Sequence, residues 1–216
     1  MDFNEVPEEK VEETVEAVET VKKGFHLSQN AKEWIVDIAV AVLIAVVILQ
    51  FLMPTIVREH SMENTFHESD YLFVSKKAYS FGGNPKRGDV IIFQSDLELT
   101  EKTNKLLIKR IIGIPGDTVS ISGGTVYVNG QALDEPYTKD GYTLTEMSEV
   151  VVPAGSYFCM GDNRQNSADS RDSRIGFVEK ERIKGKAFIR LWPISQFGGV
   201  YKNFKGTTLD LMNAKK

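Results

Sequence analysis

The stretch LLIKRIIGIPGDTV, residues 106–119, decides how the rest of the chain is read. Leu106, Leu107, Ile108, Ile111, Ile112 and Ile114 describe a buried β-strand, closed by the turn Pro115-Gly116-Asp117. Lys109 and Arg110 stand in its middle. A lysine in an apolar strand is costly unless it is paired or neutral. On strand alternation Lys109 and Ile111 share one face, and Ile108 and Arg110 the other. Lys109 is then either an edge-strand lysine that blocks aggregation or a working group. An ordinary lysine titrates near 10.4, and burial can lower that by about 3 to 5 units. A neutral lysine could take the proton from a serine, a variant of the triad chemistry.

The strand lies in a region, from residue 71 onward, of short β-branched and aromatic runs. YLFVSKKAY, DVIIFQS, TVSIS, TVYVNG, EVVVPAGSYFCMGD and KAFIRLW are separated by Gly, Pro, Asn and Asp. Ser122-Gly123-Gly124-Thr125 between two alternating runs predicts a hairpin, whereas ELTEKTNK, 98–105, reads as a solvated loop. Upstream, WIVDIAVAVLIAVVILQFLMPTIV, 34–57, has an unbroken apolar centre from Ile38 to Leu49. It reaches the roughly 20 residues of a membrane span if Asp37 and Gln50 lie near the interfaces. A cleavable secretory signal is shorter and ends in small residues, so an uncleaved anchor fits better. Lys22, Lys23 and Lys32 precede it and Arg58 follows, which puts the N-terminus in the cytoplasm.

The expected organisation is an acidic cytoplasmic tail over 1–33, as an amphipathic helix or disordered, then an anchor over 34–57. A β-rich domain over 58–200 and a polar C-terminal tail over 201–216 follow. Forty-two per cent hydrophobic residues in a chain of 216 are enough for a core, and a net charge of -4 with no basic stripe speaks against nucleic acid as a partner. One cysteine, Cys159, excludes an internal disulfide and reads as a small buried hydrophobe. Three histidines make a histidine-built metal centre an unpromising reading.

A serine nucleophile needs a base. Ser61 follows the anchor in VREHSMENTF, and His60 and His67 are nearby candidates, although His60 is adjacent in sequence and no acidic residue is placed to orient either. Lys109 is the other candidate. A third piece, MGDNRQNSADSRDSRIGFV, 160–178, must be a loop. Its Asp162, Asp169, Arg164 and Arg171 can form bidentate pairs able to hold a serine against a lysine.

Taken together, HSMENTF, KRGDVIIF, LIKRIIGIPGD and MGDNRQNSADSR resemble, in order, the four boxes of bacterial type I signal peptidases, over roughly residues 34–196. The last two are long and specific. The resemblance implies a mainly β fold: one N-terminal transmembrane helix, then an all-β extracytoplasmic catalytic domain of the LexA-like Ser-Lys peptidase type. It implies a serine endopeptidase that removes signal peptides at the outer membrane surface after small residues, Ala-x-Ala in type, without metal or cofactor. Its partners would be signal-peptide-bearing preproteins, the lipid bilayer and the secretion machinery.

Carried over by residue, Ser61 is the nucleophile, Lys109 the base and Ser167 the serine that orients the base. Arg110, Asp162, Asp169 and Arg171 match structural ionic contacts, Arg164 scaffold, and Met62 and Ile108 the pocket for the residue before the cut. Two departures stand out. Asn64 replaces a usual proline, which implies an altered turn. Glu59 replaces the serine or glycine that supplies an oxyanion donor beside the nucleophile's own N–H; an ionised glutamate side chain cannot donate. Losing one such donor can cost about 100-fold. Its backbone N–H or His60 could serve instead.

Three other readings use the same residues. A self-cleaving repressor of the LexA type would need a DNA-binding domain, where this chain has an acidic tail and an anchor. A catalytically weak membrane-tethered scaffold finds its foothold in Glu59 and Asn64, and a peptidase dedicated to pilin-type substrates is a narrower version of the main reading.

Overall fold

The computed structural model describes residues 29–80, 82–100, 103–201 and 206–214; of the acidic tail read over 1–33, residues 1–28 lie outside them and 29–33 are helical. The described residues fall into two compact units, divided between Val47 and Ile48.

Helix α1 spans Gln29–Phe51, and its stretch Asn30–Phe51 is long and apolar enough to cross a membrane. Trp34, Val40, Leu43, Val47 and Phe51 are exposed along it, as suits a helix hydrophobic all round. The helix begins earlier and ends sooner than the anchor expected over 34–57. Leu52–Ile56 is not helical but forms strand β1, because Pro54 has no N–H for a helical bond and biases Met53 towards extended backbone. As the edge strand of its sheet, β1 tolerates the proline.

The second unit holds strands β1–β12: β2 Tyr71–Ser75, β3 Val90–Thr100, β4 Thr103–Gly113, β5 Thr118–Ser122, β6 Thr125–Val128, β7 Gln131–Ala132, β8 Met147–Val151, β9 Ser156–Met160, β10 Val178–Glu179, β11 Ile183–Trp192 and β12 Gly198–Gly199. One sheet runs in the order β1-β2-β11-β3-β4-β9-β10, with β12 beside β11, and a smaller one in the order β7-β6-β5-β8. Every pairing is antiparallel. The fold is mainly β, as expected.

The strand carrying Lys109 is internal. β4 lies between β3 and β9, with Ile91 opposite Lys109 and Val90 opposite Arg110, which removes the edge-strand reading. Leu107 and Ile111 pack into a core with Ile91, Phe93 and Cys159. Ile108 instead joins a cluster with Met62, Val90 and Ile92. Ile112, Phe158 and Met160 pack on Val119, Ile121, Val126 and Val128 of the small sheet, so β9 is buried along its whole length.

Two expectations are corrected. ELTEKTNK is not a loop at its ends: β3 continues to Thr100 and β4 begins at Thr103, with Glu98 opposite Asn104. The ladder outruns its apolar signal because backbone pairing does not require apolar side chains. Nor are the described residues of the segment 201–216 only a polar tail. Helix α2, Thr208–Ala214, buries Leu209 in the core beneath the small sheet, and Asn213 Nδ2 donates to the Arg87 carbonyl at 2.8 Å. Seven residues carry too little apolar signal to announce a helix; tertiary packing supplies it. The Ser122–Thr125 hairpin forms as predicted, with positive φ at both central glycines, 57° and 80°.

Candidate active site

Three segments meet at the Lys109 site: the turn 60–62, strand β4 and the loop 161–177. A 3₁₀ turn, His60–Met62, buries Ser61 and Met62 and stands against β4. Lys109 is fully buried, and its Nζ lies 2.6 Å from Ser61 Oγ. Burial holds the Lys109 ammonium down to about 8, against the opposing pull of Asp169 and Glu59; Lys105 adds to the lowering. The pair therefore has what a serine nucleophile requires: a base within reach that can lose its proton near neutral pH.

The loop 161–177 closes the site from behind. Asn163 N–H donates to the Ser61 carbonyl at 3.0 Å, and its Nδ2 donates to the His60 carbonyl at 3.1 Å. Gly161 passes so close that a Cβ there would strike the Ser61 carbonyl and the Ser167 hydroxyl, with Ser167 Cβ only 2.6 Å away. Ser167 Oγ is buried and makes no hydrogen bond of standard geometry, to Lys109 or any other described residue. It nonetheless faces the Asp169 carboxylate and helps hold it low, after the larger effect of Arg171 and against the cost of burial.

The ionic contacts sort by face. Arg110 donates from Nε and Nη2 to Asp162 at 2.8 and 2.6 Å, with both side chains buried and the guanidinium 4.1 Å from the Tyr137 ring centroid. Thr65 completes the cluster, its hydroxyl donating to Asp162. Arg171 binds Asp169 through Nε and Nη2, each at 2.8 Å, and Asp169 accepts the Gly161 N–H at 3.0 Å. Arg164 forms a third bidentate pair, with Glu135, and holds the Gly161 carbonyl at 3.1 Å.

Met62 and Ile108 pack in one apolar cluster beside the dyad. His60 points away from it, with Nδ1 2.7 Å from Glu63 Oε1 and about half its side chain exposed. The Glu63–Asn64 peptide at the departure from proline is cis. Glu59 is ion-paired with Lys105.

The chain matches the family described as signal peptidase, peptidase S26, over residues 31–192. It belongs to that family. "Signal peptidase I" of Bacillus licheniformis is 37% identical over 187 residues, covering 82% of this chain and 97% of that protein. "Signal peptidase I T" of Bacillus subtilis is 37% identical over 195 residues, 82% of this chain and 97% of that protein. "Signal peptidase IB" of Staphylococcus aureus is 35% identical over 189 residues, 79% and 94%. A crystal structure of a signal peptidase I from Enterococcus faecalis aligns at 32% identity over 48% of this chain and 97% of that chain, with a TM-score of 0.39.

Within the S26 peptidase chain, sequence reasoning left out Asn163, Thr65, Glu135 and Lys105. The last was within reach: Lys105 sits four residues before Lys109, on the same face of a strand. The others could not be found without the fold, because they act across 29 to 103 residues of chain.

Proposed function

We propose that this signal peptidase works through a Ser61–Lys109 dyad, in which Lys109 is the base and Ser61 the nucleophile. The single observation carrying this is the 2.6 Å contact between Lys109 Nζ and Ser61 Oγ in a buried setting. Neutral Lys109 takes the Ser61 hydroxyl proton as Oγ attacks the carbonyl at the end of a signal peptide. Collapse of the tetrahedral species expels the amine of the mature protein, protonated by Lys109, and leaves an acyl-enzyme. Lys109 then deprotonates the water that hydrolyses it, returning the proton to Ser61.

Ser167 orients the base in this reading. Its buried hydroxyl, next to Gly161 and without a well-formed bond, is available to accept from the Lys109 ammonium when that releases Ser61. Arg110–Asp162, Asp169–Arg171 and Arg164–Glu135 hold the loop; Met62 and Ile108 line the pocket for a small residue before the cut. The Ser61 and Glu59 backbone N–H groups would face the oxyanion, since the Glu59 carboxylate is held by Lys105.

The substrates are signal-peptide-bearing preproteins, engaged as an added strand. Helix α1 anchors the enzyme by a single pass in the bilayer, with the lysines before it in the cytoplasm and the β unit outside, where exported chains emerge from the secretion machinery.

The test is cleavage of an Ala-x-Ala preprotein in detergent by wild type, Ser61→Ala and Lys109→Ala. Cleavage by the wild type alone supports the dyad; an active Lys109→Ala enzyme would remove Lys109 from the base role. Lack of cleavage by folded wild type would favour a dedicated substrate.

A further inference from the structure

Two contacts tie the segment 59–61 to β4. Ser61 reaches Lys109, and two residues earlier the Glu59 carboxylate is paired with the Lys105 ammonium. Alternation puts Lys105, Leu107 and Lys109 on one face of β4, so the two contacts are rungs between the same two segments. They differ in exposure. The dyad is buried, whereas the Glu59 and Lys105 side chains are 35% and 32% exposed.

We propose that Glu59 and Lys105 are a compensating pair of positioning residues that together set the charge state of the Lys109 base. This rests on the dyad reading. An anion near Lys109 favours the ammonium and a cation favours the amine, and the two act on Lys109 with opposite signs.

Asp169 exerts the largest pull of any charge on the amine. It comes from the loop 161–177 and is fixed by the buried contact with Arg171 at 2.8 Å. Cys159, from β9, is kept as a thiol by burial. Glu59 and Lys105 are thus the charges near the base whose balance depends on one partly exposed contact. A glutamate two residues before the nucleophile would by itself favour the protonated base and repel the developing oxyanion. Lys105 cancels it.

The experiment is kcat/KM against pH for the full chain in detergent, with an Ala-x-Ala peptide substrate. The variants are Glu59→Gln, Lys105→Met, Lys105→Arg and the double Glu59→Gln/Lys105→Met. Activity rises as Lys109 loses its proton. Glu59→Gln is expected to move that rise down by about half a pH unit, giving roughly threefold faster cleavage below it. Lys105→Met is expected to move it up by about as much, Lys105→Arg to leave it in place, and the double variant to bring it back. Both single shifts should shrink at about 1 M salt. An unmoved rise, or shifts of one sign in both single variants, would overturn the proposal. Activity surviving in Lys109→Ala would instead overturn the dyad reading beneath it.

Discussion

Lys109 and Arg110 are neighbours in sequence and serve opposite faces of one internal strand. Lys109 meets Ser61 Oγ at 2.6 Å on one side; Arg110 grips Asp162 at 2.6 and 2.8 Å on the other. One cation is left without a carboxylate partner of its own, as the proposed base requires. The other is given a bidentate one and becomes a brace.

The first consequence is a pH dependence. Because Lys109 must be neutral to act and titrates near about 8, kcat/KM should rise tenfold per pH unit below that value and level off above it. A pH profile between about 6 and 10 checks this; a flat profile across that range would remove the lysine from the proton transfer.

The second is a trade of activity against stability at the same residue. The unfolded lysine keeps its proton up to 10.5, whereas the folded one releases it near about 8. The folded state therefore binds fewer protons between those values, and this group's cost is full below about pH 8 and declines as pH rises towards 10.5. Lys109→Met should abolish cleavage, by about 10⁴-fold or more, yet raise the melting temperature at pH 7 by roughly 5 °C. Thermal unfolding at pH 7 and pH 10 should show the gain mainly at the lower pH.

Arg110 should behave oppositely. Arg110→Met strands the Asp162 carboxylate, which is 0% exposed, and breaking a buried pair in this way costs about 3–5 kcal/mol. Denaturant unfolding should show that loss, together with a fall in activity as the loop beginning at Gly161 loosens.

Gly161→Ala places a methyl against the Ser61 carbonyl and Ser167. Backbone on one side and a serine with a buried hydroxyl on the other leave little room to yield. Ser61 should shift, and for the proposed nucleophile a displacement of about 1 Å can cost on the order of 100-fold. Single-turnover cleavage should fall in that range, with KM changed far less than kcat.

Ser167→Ala removes a buried hydroxyl that has no well-formed bond, so the fold should lose little. A fall in kcat of about tenfold or more, with unfolding unchanged, is expected if it steadies Lys109; an unchanged kcat would leave it a packing residue.

The sequence by itself determined the elements whose signal is local and periodic. The run of apolar residues before Pro54, the alternating strands and the Ser122–Thr125 turn are all written in neighbouring residues. The resemblance of its boxes to signal peptidases pointed to Ser61 and Lys109 as a pair, where the residues alone also left His60 and His67 open. The tertiary structure decided what depends on distant segments. That β4 is internal rather than an edge follows from its flanks by β3 and β9. Asn163 bracing Ser61, Glu135 holding Arg164 and Leu209 entering the core are long-range contacts that no local pattern encodes. The same holds for Glu59. In the sequence it is a carboxylate misplaced beside a nucleophile, and only the fold, by bringing Lys105 to it, shows how its charge is balanced.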